Sequence, residues 1–109
     1  MAEPLVVRLQ GEFDIYRTAE LERLLAPAMD VPRVVIDLRD VRYIDSSCLA
    51  VLVRMRKLRT AKGFAPSLFV KGPKQVQTVF QVTQLEQLWE QYDTFEAALE
   101  AAERIPDPQ

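Results

Sequence analysis

Apolar residues fall along this chain in short runs whose period switches between two and about 3.6. Leu5-Val6-Val7-Arg8-Leu9 reads as a strand, and Gly11-Glu12-Phe13-Asp14 reads as its break. Thr18 then stands as a helix N-cap, followed by Leu21, Leu24, Leu25 and Ala28 at helical spacing. Pro27 and Pro32 predict that this helix ends near Met29. Val34-Val35-Ile36-Asp37-Leu38 is the strongest strand, apolar enough to be buried on both sides. A polar turn leads through Tyr43-Ile44 to Asp45-Ser46-Ser47. Cys48, Leu49, Leu52, Met55, Arg56 and Leu58 then keep one stripe of a helix that stops at Gly63.

Ser67-Leu68-Phe69-Val70 predicts a third strand, and Gly72-Pro73 opens a helix carrying Val76, Val79 and Phe80. Leu85 to Trp89 fits a helix or a short strand equally well. Asp93-Thr94-Phe95-Glu96 resembles a capping box with Asp93 as acceptor, ahead of Phe95, Ala98, Leu99 and Ala102 at helical spacing. Alternation of strands with helices predicts an α/β domain with helices against a sheet. One domain over 1–104 and a flexible tail over 105–109 are expected.

Composition narrows the function more than the fold. The 109 residues suffice for one core without staples. Hydrophobic residues make up 49% and charged ones 28%, as in an ordinary globular chain. A net charge of −2 gives no general pull toward nucleic acid or anionic lipid. A single cysteine, Cys48, allows no internal disulfide. With no basic leader and no apolar run long enough to cross a bilayer, a cytoplasmic protein without direct membrane insertion is expected.

Catalysis finds little support. Histidine is absent, which removes the commonest general base. Lys57 and Lys62 lie about 15 Å or more along the predicted helix from Ser46 and Ser47, too far to activate either. Asp37, Asp40 and Asp45 could gather a hard cation, but turn forming and capping explain them more simply. The scattered glycines form no phosphate-cradling loop. No catalytic residue, cofactor or metal is therefore expected.

The Asp45-Ser46-Ser47 corner has the most chemical potential. It stands at a predicted helix N-terminus, where backbone N–H groups lack partners and the dipole end is positive. One residue there must cap the helix, and another hydroxyl should face solvent. Phosphorylation of that hydroxyl would add about −1.5 to −2 charges at neutral pH, tolerable in the free protein but disruptive under a partner. Arg54, Arg56, Lys57, Arg59 and Lys62 form a basic run. It reads mainly as a solvated face complementing the helix dipole, with a docking surface for an acidic partner as the alternative. Cys48 reads as a small packing residue.

At these residues the chain resembles the STAS family, and within it the bacterial anti-sigma factor antagonists. Val34-Val35-Ile36-Asp37-Leu38 followed by Tyr43-Ile44-Asp45-Ser46-Ser47-Cys48-Leu49 is similar to the family's hallmark strand and D-S-S helix start. Gly11-Glu12-Phe13-Asp14 resembles its G-E-x-D turn, and Val70-Lys71-Gly72 and Leu85 through Leu99 resemble its later strand and final helix. Cys48 departs from the glycine the family often places after D-S-S, Ala50 is a second small position, and Thr83-Gln84-Leu85 lacks a glycine often found there. Cys48 and Ala50 slightly enlarge the surface a kinase must approach.

The resemblance implies a small mixed β-sheet of roughly four to five strands with about four helices mainly on one face. It also implies a non-catalytic regulator that binds an anti-sigma factor acting as a serine kinase. Phosphorylation at Ser47 would switch binding off, and a PP2C-type phosphatase would restore it. Asp14, Asp45, Ser46, Ser47 and Cys48 are then the partner-binding residues, in a monomer or weak dimer. The alternative is a STAS subunit of a stress-sensing assembly or lipid transporter with a constitutive partner.

Overall fold

A computed structural model describes residues 3–108. Strands β1 (Leu5–Phe13), β2 (Val34–Ile44), β3 (Leu68–Val70) and β4 (Gln91–Tyr92) form one sheet in chain order. Helices α1 (Thr18–Leu25), α2 (Ser46–Ala61) and α3 (Lys74–Val82) join successive strands, and α4 (Phe95–Glu103) follows the last. All three pairings are parallel rather than mixed. A helix in every connection carries the chain back to start the next strand in the same direction.

The central strand β2 is buried on both faces. Val34, Ile36 and Leu38 join Leu9 and Phe69 in a core closed by Leu21 and Leu25 of α1, Leu52 and Met55 of α2, and Phe80 of α3. Val35 faces the other way, with Leu68 and Val70, against Ala98, Ala101 and Ala102 of α4. Three helices thus cover one face and one short alanine-rich helix the other. Gly72 lets α3 start close to β2, because a Cβ there would stand 2.8 Å from the Leu38 carbonyl oxygen.

Several boundaries differ from the sequence expectation, each for a local reason. Gly11 does not end β1. It takes φ +88°, and the register against β2 slips between Arg8 and Gln10 and again between Gly11 and Glu12, so the strand bends and continues to Phe13. β2 runs past Leu38 to Ile44, held by buried Val41 and Ile44. Arg17, not Thr18, occupies the cap position of α1, which tightens to a 3₁₀ turn over Ala26–Asp30 at Pro27. Thr94, not Asp93, caps α4, its hydroxyl accepting from the Ala97 N–H at 3.1 Å.

The ambiguous Leu85–Leu88 segment is a 3₁₀ turn entered through Gln84 at φ +60°, the left-handed region where glycine is easiest. It delivers Trp89 onto Phe69 and Phe80, with ring centroids 5.1 and 6.2 Å away. The expected tail begins with fixed contacts: Arg33 donates to the Ile105 carbonyl and pairs with Asp107, both at 2.8 Å. Its end, Gln109, lies outside the described residues.

Helix α2 shows the largest departure. Leu58 is 49% exposed, while Arg59 is fully buried. The Arg59 guanidinium donates to the carbonyls of Ala28 and Val31 through Nη1, and to those of Pro32 at 3.2 Å and Ala65 at 2.9 Å through Nη2. Burial pulls its pKa below the ordinary arginine value. The cation ties the loop before β2 to the loop before β3.

Candidate functional site

The candidate site is built where β1 and β2 end side by side. Phe13 pairs with Ile44, and the Phe13 carbonyl accepts from the Asp45 N–H at 3.0 Å. The next residues, Asp14 and Asp45, therefore begin matching turns. Each backbone is extended, with φ −98° and ψ −176° at Asp14 and φ −103° and ψ 177° at Asp45. Each carboxylate reaches forward two residues, Asp14 to the Tyr16 N–H at 2.9 Å and Asp45 to the Ser47 N–H at 3.0 Å. A short acidic side chain on an extended residue satisfies the N–H groups that a helix start leaves open.

Asp45 carries three bonds on one oxygen: the Ser47 N–H, the Cys48 N–H at 3.2 Å, and the Ser47 hydroxyl at 2.5 Å. The hydroxyl bond is the leading cause that holds the Asp45 carboxyl below its ordinary value, with the two backbone bonds adding to it against partial burial. Ser46 is exposed and Ser47 half-buried. The Ser47 hydroxyl is part-buried and occupied, so any group that takes its proton must first draw it from Asp45.

Cys48 corrects an expectation. It is buried, so it neither enlarges the outer surface nor offers its side chain to a partner. Its thiol donates to the Asp14 carbonyl at 3.4 Å, fastening the two turns together. Burial first, and the nearby Asp45 charge second, push that thiol above its ordinary pKa. It is a packing residue, not a reactive one. Of the five expected partner-binding residues, Asp14, Asp45, Ser46 and Ser47 share one accessible corner, and Cys48 supports it from beneath.

Two apolar features border this corner that the sequence reading did not single out. Ile15 is 60% and Tyr16 91% exposed, immediately after Asp14. On the other side a shallow groove of about 550 Å³ begins at Ser46 and is lined by Leu49, Ala50, Val53, Lys57 and Leu85. Exposed aromatic and aliphatic groups around a polar centre are the composition of a protein-binding patch. The available signal was the Phe13-Asp14-Ile15-Tyr16 run, too apolar for a turn with nothing to cover it.

The basic run is largely consumed within the molecule. Arg54 pairs with Glu22 at 2.5 Å, Arg56 donates to the Leu88 carbonyl at 2.8 Å, Lys62 pairs with Asp30 at 2.7 Å, and Arg59 is buried. Neither a continuous docking face nor a fully solvated one results. The acidic residues considered for a metal also separate. Burial pushes the Asp37 carboxyl up, but three hydrogen bonds donated by Arg39, two from its guanidinium and one from its backbone N–H, and the charges of Arg39 and Arg8 outweigh it and leave it below its ordinary value. Among the described residues no three acidic, cysteine or histidine side chains are grouped to hold a metal ion. No helix among them is long and apolar enough to cross a membrane.

A parallel α/β domain with a capped serine corner at the carboxyl ends of its two longest strands defines a class, and sequence comparison gives the class its family. Residues 2–90 match the family described as "Mlab, STAS domain", and the chain belongs to the STAS family. Solved structures with the same fold include TM1081 of Thermotoga maritima, a candidate anti-sigma factor antagonist. It is 24% identical, with a TM-score of 0.79 over 94% of each chain. An anti-sigma factor antagonist STAS domain protein of Planctomyces limnophilus is 26% identical, with a TM-score of 0.73 over 84% of this chain and 80% of that one. The unphosphorylated form of the antagonist SpoIIAA is 22% identical, with a TM-score of 0.72 over 98% and 95%. SpoIIAA of Bacillus has also been solved phosphorylated, with a TM-score of 0.68 at 19% identity over 93% and 92%.

Proposed function

We propose that this protein is a non-catalytic regulator of the anti-sigma factor antagonist type, and that Ser47 is its switch. Unmodified, the corner of Asp14, Asp45, Ser46 and Ser47, with Ile15 and Tyr16 beside it, docks on an anti-sigma factor that is also a serine kinase. Phosphorylation of Ser47 ends docking, and a PP2C-type phosphatase restores it.

The observation that carries this reading is the Ser47–Asp45 hydrogen bond. Phosphorylation replaces the donated proton with a dianion. An attraction at the helix start becomes a repulsion between two acidic groups, at the surface a partner covers. The helix N-terminus offsets part of that charge in the free domain, so the fold survives while the interface does not. Buried Cys48 and its bond to Asp14 keep the change local.

The test is incubation with the cognate kinase and ATP, followed by mass mapping. Phosphate on Ser47, absent from Ser47→Ala, supports the switch. Phosphate confined to other residues overturns it.

A second reading, a constitutive STAS subunit of a stress-sensing assembly or lipid transporter, draws on the name Mlab in the matching family's description. In that case the same corner docks a permanent partner. Gel filtration of a native lysate separates the two: a large stable complex favours the subunit, and a species that shifts on ATP addition favours the switch.

A further inference from the structure

Among the described residues no strand pairs with the outer edge of β1. β1 stands at the end of the strand order and pairs only with β2. The Leu5 N–H points at β2, donating to the Arg33 carbonyl at 2.9 Å. Alternation then turns the N–H and C=O groups of Val6 and Arg8 outward. No backbone or side-chain hydrogen bond among the described residues covers them. The next outward carbonyls are covered: Arg17 Nη1 donates to Gln10 at 3.2 Å and to Glu12 at 2.8 Å, its guanidinium seated on the Phe13 ring. Before Val6, Pro4 has no N–H to give.

We propose that this short window pairs with the same window of a second copy, antiparallel, about a two-fold axis at Val7. The stops select the register. Placing the axis at Leu9 or Gln10 puts the partner strand against Gln10 and Glu12, whose carbonyls Arg17 already holds. Placing it at Val6 sets Arg8 against Pro4. Placing it at Arg8 stacks like charges and again meets Gln10. With the axis at Val7, Val6 of each copy exchanges both backbone bonds with Arg8 of the other, and Val7 faces Val7. Arg8 lies 3.5 Å from Asp37, a carboxylate it shares with Arg39, and its guanidinium is 5.9 Å over the Phe95 ring. Half-buried Leu5 and Val6 gain cover from the other copy.

Two four-stranded sheets become one of eight. Few bonds make the contact, so it is a weak, concentration-dependent dimer. The axis lies toward the amino-terminal half of β1, whereas the serine corner follows its carboxyl end, so this inference stands apart from the proposed switch.

Sedimentation equilibrium over a broad concentration range tests it with two variants. Val6→Pro deletes an outward N–H and no bond to β2, a position where an edge strand tolerates proline. It is expected to keep the circular dichroism of the parent and to raise the dimer Kd about tenfold or more. Val7 is 8% exposed and lies on the strand at the proposed contact, so Val7→Cys is expected to form a disulfide-linked dimer on oxidation, while the parent, whose Cys48 is fully buried at the start of α2, does not. A parent that stays monomeric at the highest concentration, or a folded Val7→Cys that does not cross-link, overturns the proposal.

Discussion

The two ends of helix α2 use polar chemistry in opposite ways. At its start, Asp45 gathers two backbone N–H groups and one hydroxyl at the surface. At its end, Arg59 gathers four backbone carbonyls in the interior. Both satisfy groups that a helix or loop leaves open. The buried end fixes the loops before β2 and β3, and no incoming molecule reaches it. The open end holds its hydroxyl by a single bond to Asp45, and the proposed switch requires that this bond can be broken without moving the core. On that reading one helix is anchored at one end and modifiable at the other.

Removing the anchor should have the largest effect. Arg59→Ala strips four carbonyls of their donor and is expected to cost about 3 kcal/mol or more. Urea denaturation should show a lower midpoint at unchanged slope. A midpoint equal to the parent's would mean that water replaces the guanidinium freely and that the contrast between the two ends is false.

Asp45→Ala comes next, at about 1–2 kcal/mol for a lost cap. Its acid dependence sharpens the assignment. The folded Asp45 carboxyl lies below its ordinary value of 3.8, so the unfolded chain binds that proton more readily. The stabilisation is complete above the ordinary value and is lost as pH falls through the folded one. Asp37, shifted in the same direction, adds to the same loss. Asp45→Ala should therefore flatten the decline of thermal midpoint below about pH 4 without abolishing it.

The serines should show the smallest effects and the clearest difference from each other. Ser47→Ala loses one hydrogen bond, about 1 kcal/mol, and should raise the Asp45 carboxyl titration seen by NMR, because the hydroxyl is the leading cause of its depression. Ser46→Ala, at an exposed position that takes no part in the Asp45 cap, should stay within about 0.5 kcal/mol of the parent and leave the Asp45 titration in place.

Much of this was legible in the residues. The alternation of periods gave the α/β class, and the polar corner after a buried strand gave the candidate site. What stayed hidden was long-range. Arg59 looks like its neighbours Arg56 and Lys57 until the loops at Ala28–Pro32 and Ala65 fold around it, and nothing in the helix itself marks it as buried. Gly11 reads as a break because local rules do not include β2, which holds the strand on both sides of the bulge. Cys48 replaces a glycine that the resemblance leads one to expect, and its inward direction depends on the Asp14 carbonyl, 34 positions away in the chain. Ile15 and Tyr16 gain meaning only once the two turns stand together.

The most direct measurement is calorimetric titration of the anti-sigma kinase with the parent, Ser47→Ala and Ser47→Asp proteins at matched ionic strength. Ser47→Ala should bind within a few-fold of the parent, and Ser47→Asp at least about tenfold more weakly. Equal affinity for all three, with each variant folded, would contradict a switch written at Ser47.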